Sequence, residues 1–284
     1  MRWSSEHLRR WLPVPVFGVF LLYAFGVLVD ASTLTRQAGM AAVVALVGYA
    51  ALATWGAPPR VRWALLAGVV AVGAAVWLNL PDPPPEGPTN ALVRLDHDVL
   101  DSYWQTAVHK VRWTALGMLL GAAGGLVAVL ALPPAAVRRR VWALVLASVA
   151  VVLVLASTAN SLAAYADRTG RGADLLGAVW LPVLAGLLAT AVADLAALRG
   201  RGWQAALAGL GAGMLAIVAL GLAVDTGRAM PLPPSDGFLS LGILYSYGTG
   251  PSTWDVQDAM TALATLLGPL LIVIATTRPP SETP

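Results

Sequence analysis

Cysteine is absent from all 284 residues. That excludes disulfides, thiolate metal sites, iron–sulfur clusters and a cysteine nucleophile together. Histidine is nearly absent too: His7, His97 and His109 all lie outside the long apolar runs, so no histidine pair is positioned to ligate a haem within a bilayer. Charge is scarce, at 12% of residues against about 25% in a soluble domain. Its place is taken by apolar residues, 58% of the chain, with a mean hydropathy of +0.72.

The apolar residues fall in runs near the roughly 20 residues that a helix needs to cross a hydrocarbon core about 30 Å thick. The chain therefore reads as an all-α, polytopic helical membrane protein. Eight transmembrane helices are expected, at 12–29, 38–55, 63–80, 113–132, 141–164, 175–197, 203–224 and 260–277. With a cytoplasmic N-terminus, one side of the membrane carries eleven arginines and three acids, and the other carries seven bases and twelve acids, for net charges of +8 and −5. Short basic loops belong inside, so both termini are predicted cytoplasmic and the protein multi-pass in the plasma membrane. The odd-numbered spans open on Arg10-Trp11, Arg62-Trp63, Arg140-Val141-Trp142 and Arg201-Gly202-Trp203, the pattern of ordinary interfacial anchoring to membrane lipid.

Connections on the basic side are short, whereas two long loops, 81–112 and 225–259, both face outward. Each follows the third span of a group of four. This spacing divides the chain into an N-terminal four-helix half, 1–140, and a C-terminal half, 141–284. Three local resemblances recur in the same order and predict a duplication. Pro81-Asp-Pro-Pro-Pro-Glu-Gly87 resembles Pro231-Leu-Pro-Pro-Ser-Asp-Gly237, and Trp113-Thr-Ala-Leu-Gly-Met-Leu-Leu-Gly121 resembles Met260-Thr-Ala-Leu-Ala-Thr-Leu-Leu-Gly268. Arg60-x-Arg62-Trp63 resembles Arg199-x-Arg201-x-Trp203. An even number of spans per half makes this a parallel repeat about the membrane normal.

No charge sits at the centre of a span, which argues against a proton pump or voltage sensor built on one. Asp194, a turn from the inner end of its span, is expected within reach of Arg199 or Arg201. Asn160, beside Thr158 and Ser161, is expected to hydrogen-bond between helices. Gly117, Gly121 and Gly125, and likewise Gly209 and Gly213, have helix-packing spacing. Pro269 follows Gly268 in mid-span and should kink or break its helix, with Gly121 at the same depth in the other half. Interruptions at corresponding depths are the usual sequence pointer to a transporter's binding site, so Gly121 and Gly268 are candidates.

The outer loops carry most of the polar chemistry. From Leu95 the spacing predicts a helix leading into the fourth span, with Asp98, Asp101, Gln105, His109 and Arg112 along one side and Leu100, Trp104, Ala107 and Val111 along another. It reads as an amphipathic helix lying on the outer interface. Asp255-Val-Gln-Asp258 echoes Asp98-Val-Leu-Asp101, so four carboxylates are expected to converge if the halves pack symmetrically. Asp98, Asp101, His109, Asp255 and Asp258 are the candidate substrate-binding side chains. No zinc spacing is present, and no catalytic residue, metal or cofactor is assigned. Residues 239–248 alternate with period two, which suits an extended lid or re-entrant segment.

The organisation suits a non-enzymatic transport or translocation component with a path between two four-helix halves and a small-molecule or lipid substrate. It has no nucleotide-binding domain of its own, so energy would come from an ion gradient or a separate ATPase; no nucleic-acid partner is expected. Two other readings stay open. One is an outer-leaflet enzyme acting on a lipid or lipid-linked substrate. The other is a structural or assembly subunit with a partner membrane protein.

Overall fold

The computed structural model describes residues 11–81, 97–132, 141–199, 203–228 and 253–277, with the backbone alone at 97–101, 103, 141–151, 153 and 253–255. The two outer loops, the Arg138–Arg140 segment and the expected lid at 239–250 therefore lie largely or wholly outside the described residues. Eight helices occur among those described: α1 Pro13–Leu28, α2 Ser32–Ala53, α3 Pro59–Leu78, α4 His97–Leu130, α5 Val141–Thr169, α6 Gly172–Arg199, α7 Trp203–Arg228 and α8 Thr253–Thr277. Six of them, α2, α3, α4, α6, α7 and α8, are long and apolar enough to cross a membrane. α1 is apolar but has 16 residues, and α5 is described only in part.

Prolines at the first helical positions start α1 and α3, where a missing N–H costs nothing. α1 turns into α2 within Val29–Ala31, and Asp30 adopts φ 50°, a left-handed backbone that Asp tolerates better than most residues. A methyl group at Gly26 would lie 2.9 Å from the Thr35 amide nitrogen, so the hairpin closes only because Gly26 has no side chain. We call the end of the bundle bearing this turn distal and the opposite end proximal.

Lipid-facing positions hold large apolar side chains, among them Phe17, Val44, Trp77, Trp180, Leu210 and Ile217, while helix contacts are rich in Gly, Ala and Thr. The interior threonines donate their hydroxyl hydrogens to carbonyls one turn back, as Thr54 does to Ala50 at 2.6 Å and Thr226 to Leu222 at 2.6 Å. The most extensive packing joins α6 to α7, α3 to α4 and α7 to α8; α4 also packs on α6, α7 and α8, and α8 on α1, α2, α3 and α4. α5 lies at the edge, chiefly against α6 and α7.

Two of these interfaces meet backbone to backbone. On α3 and α4, a methyl at Gly68 would lie 3.2 Å from the Gly121 Cα, one at Gly117 would lie 2.5 Å from the Ala71 carbonyl, and one at Gly124 would lie 2.5 Å from the Ala64 carbonyl. On α7 and α8, a methyl at Gly211 would collide with the Gly268 carbonyl, and one at Gly268 would lie 2.9 Å from the Gly211 carbonyl. The packing expected of Gly117 and Gly121 is therefore present, but in the seventh span the close residue is Gly211. Gly213 faces open space, and Gly209 makes only an ordinary contact. The helix turns its middle glycine inward, which spacing alone does not reveal.

Other expectations are revised. Helix α8 runs on through Pro269, so the expected interruption is not a break in the helix. The helix predicted from Leu95 exists but does not lie apart on the interface. It continues from His97 into the span as one helix of 34 residues, roughly 51 Å long at 1.5 Å per residue. Trp104 and Val108 are buried against Leu175 and Val179 of α6 and Ala223 of α7, whereas Ala107 of the expected apolar side is exposed. Arg199 does not serve Asp194: its Nη1 donates to the Leu130 carbonyl at 2.6 Å, capping α4, and the Asp194 Oδ1 is buried without a hydrogen-bond partner. Asn160 is exposed on α5 rather than set between helices. The Arg–Trp anchor at α3 is built as expected, with the Arg62 guanidinium 4.5 Å from the Trp55 ring centre and 5.6 Å from that of Trp63.

A leucine at Gly211 must push two backbones apart, and one at Gly121 must displace the Val72 side chain of the facing helix, which costs about 1–3 kcal/mol by overpacking. Gly213→Leu has room. Melting of the detergent-solubilised variants is expected to show clear destabilisation for Gly121→Leu and Gly211→Leu and a wild-type midpoint for Gly213→Leu.

Candidate functional site

A cavity of about 520 Å³ lies between helices of the N-terminal and C-terminal parts of the chain, towards the distal end. Its size is that of a small-molecule site. α1 and α2 supply Tyr23, Val27, Asp30, Ser32 and Thr35 to its wall. The rest comes from two helix pairs: Ala75, Asn79, Thr114 and Met118 on α3 and α4, and Val218, Leu222, Asp258, Thr261 and Thr265 on α7 and α8. Asp30, Ser32, Asn79 and Asp258 sit at the distal ends of their helices. Tyr23 lies seven residues inside Asp30 on α1, so the cavity reaches about 10 Å into the bundle at 1.5 Å per residue.

Below the cavity the interior is filled. Its α4 wall ends at Met118, just before Gly121, and its α8 wall at Thr265, just before Gly268. At the level of those crossings and proximal to them, Leu46, Val69, Val129, Val192, Leu266 and Ile272 are fully buried in one cluster that draws on α2, α3, α4, α6 and α8. The glycine crossings thus mark the floor of a vestibule closed on its proximal side.

The polar lining is held in place by the helices that carry it. Asn79 closes the end of α3, where its Nδ2 donates to the Ala75 carbonyl at 2.7 Å and to the Thr114 Oγ1 at 2.6 Å. Thr114 in turn donates to the Lys110 carbonyl at 2.9 Å, and Thr265 donates to the Thr261 carbonyl at 2.7 Å. Among the described residues, no lysine, arginine or histidine lines the cavity. Among the described residues, no three His, Asp or Glu side chains gather where they could hold a metal ion.

Of the residues singled out by sequence, Asp258 lines this cavity. His109 does not. It is exposed on α4, where its Nε2 accepts the Trp113 indole N–H at 3.0 Å and the two rings meet edge to face. Asp98 and Asp101 stand on the first turns of α4 and Asp255 on the first turn of α8; their side chains lie outside the described residues. The expected convergence of four carboxylates does not follow from the helix registers. Asp258 is three residues from Thr261 along α8, whereas Asp101 is thirteen from Thr114 along α4, so the two pairs stand at different heights. Gly121 and Gly268 lie beneath the cavity as packing contacts and do not line it.

Sequence reasoning missed Tyr23, Asp30, Ser32, Thr35, Asn79, Thr114, Thr261 and Thr265. The available signal was polar residues set within or at the distal ends of apolar spans. Thr114 and Thr261 already stood at matched positions in the aligned segments.

No protein-family model matches the chain, and neither the search of curated proteins nor that of solved structures returns a similar protein.

The lack of native cysteine makes accessibility directly measurable. Single cysteines at Ser32 and Thr261 are expected to react with a membrane-impermeant thiol reagent, because exposed thiols ionise and buried ones stay inert. Leu266→Cys, in the filled core, is expected to stay unlabelled.

Proposed function

We propose that this protein is a non-enzymatic transport or translocation component of the plasma membrane, its solute path running between two four-helix halves, 1–140 and 141–284, with both termini cytoplasmic. The observation that carries this reading is the cavity of about 520 Å³ lined by helices from both halves, with a filled core on its proximal side. Among the described residues the cavity offers hydroxyls, an amide and two carboxylates, a polar lining that can hold a small solute.

The duplication is supported at several levels. Positions 147 apart on α4 and α8, Thr114 with Thr261 and Met118 with Thr265, line the same cavity. So do positions 143 apart on α3 and α7, Ala75 with Val218 and Asn79 with Leu222. The same intervals relate Gly68 to Gly211 and Gly121 to Gly268, and Val72 overlies Gly121 as Leu215 overlies Gly268. This register differs by about one helical turn from the one suggested by the Arg-x-Arg segments. Contacts between the halves follow the same exchange: α4 on α6 and α7 corresponds to α8 on α2 and α3. The counterpart that departs is α5, which stands at the edge while α1 packs on α8.

Under this reading the cavity lies near the pseudo-twofold axis, the usual place for a substrate site in a repeat-built transporter. Energy comes from an ion gradient or a separate ATPase.

Two measurements test the proposal. In proteoliposomes carrying the full chain, a panel of small labelled solutes of either charge sign is expected to include one that crosses faster than in protein-free vesicles. Thr265→Trp, which fills the cavity, should abolish that flux, and Val44→Trp, on the lipid face, should preserve it. Flux indifferent to Thr265→Trp removes the cavity from the path. In intact cells, an impermeant reagent should label a cysteine at Gly170 and not one at Gly56, and the reverse pattern would invert the orientation.

A further inference from the structure

We infer that the cavity selects a small organic ammonium ion, a proposal that rests on its being the solute site. The inference comes from counting hydrogens. An amide has two N–H donors, and both of those on Asn79 are spent, on the Ala75 carbonyl and on Thr114. What Asn79 has left is its carbonyl oxygen. The Thr114 hydroxyl spends its hydrogen on Lys110 and the Thr265 hydroxyl spends its own on Thr261, so each retains lone pairs only. Pro269 adds to this side of the balance: it has no N–H, and the Thr265 carbonyl one turn back is deprived of its helical donor.

Asp30 and Asp258 line the same space, Asp258 already holding an interaction of its own, and a carboxylate group accepts without donating. Tyr23, Ser32 and Thr35 contribute hydroxyls that serve either way. Among the described residues, no lining side chain carries positive charge. The wall is thus rich in acceptors and poor in donors, and a ligand that completes it must bring hydrogens and positive charge together.

This excludes other classes on physical grounds. A carboxylate or phosphate would set lone pairs against lone pairs, with repulsion from two acids. A neutral polyol could supply hydrogens but would gain nothing from the carboxylates. A bare alkali or alkaline-earth ion needs a compact shell, with Ca²⁺ bound at about 2.3–2.6 Å, and a space of about 520 Å³ is far too wide to provide one. An ammonium group offers three donors and no acceptor, and its carbon chain suits the apolar part of the wall, Val27, Val76, Met118, Val218 and Leu222.

The test uses the full chain in detergent and three probes of similar size: n-butylammonium, tetramethylammonium, which has the charge without an N–H, and butyrate. Calorimetry is expected to give saturable binding of n-butylammonium, binding of tetramethylammonium weaker by about tenfold for the lost charge-assisted hydrogen bonds, and none for butyrate. Asp30→Gly suits the left-handed backbone at that position and removes the carboxylate without strain; with Asp30→Asn as a second variant, it should weaken n-butylammonium about tenfold. Thr265→Trp should abolish binding. Butyrate or a neutral solute binding in a manner lost in Thr265→Trp, without n-butylammonium, overturns the ammonium assignment and leaves the transport reading standing. Binding of n-butylammonium that ignores both the Asp30 variants and Thr265→Trp overturns the site. Absence of binding by all three probes, together with flux indifferent to Thr265→Trp, overturns both.

Discussion

In hydrocarbon a leucine gains nothing by turning from lipid to protein, so helices are held by close contact and by polar bonds rather than by exclusion from water. Everything else in this bundle depends on that constraint. It explains why the glycines sit inward at the crossings of α3 with α4 and α7 with α8, while phenylalanine, tryptophan and valine cover the outside. Where a backbone can reach a backbone, contact energy accumulates over several residues, as it does along Gly117, Gly121 and Gly124. Threonine is admitted to the interior on the same terms, because its hydroxyl finds a carbonyl on its own helix and costs the packing little.

The cavity is the place where this economy is suspended. Proximal to the crossings, side chains fill the space among five helices; distal to them, α2, α4 and α8 of that group present side-chain oxygen atoms. The polar groups there are still tied into their helices, which is what allows them to stand so near the membrane interior. Being tied fixes which way their hydrogens point. A wall that is orderly on the protein's side is therefore one-sided in what it offers a guest.

Much of the fold is legible in the sequence, because hydropathy and length alone mark an apolar helix. Six of the eight expected spans are helices of spanning length and apolarity, and their ends were misjudged mainly at the distal side, where α4 and α8 begin well before the apolar run. Rotation about the helix axis is not legible in so uniform a composition. Gly121 could be picked out, but its partner Gly68 could not, and Gly211 was passed over for Gly213. The site was harder still. Charge clusters in the loops drew attention to Asp98, Asp101 and His109, whereas the polar lining of the cavity is assembled from scattered residues in or at the ends of α1, α2, α3, α4 and α8, each unremarkable in its own stretch of chain. Asp258 was found by the loop argument, yet it belongs to the cavity for a different reason, its position one turn above Thr261.

The glycine crossings also bear on the mechanics of the bundle. Side chains that interdigitate can repack and let two helices slide, but helices touching through their backbones have no rotamers to exchange at that level. The pairs α3–α4 and α7–α8 are thus each held at a fixed separation beneath the cavity by backbone contact, with no rotamer at that level that could widen it.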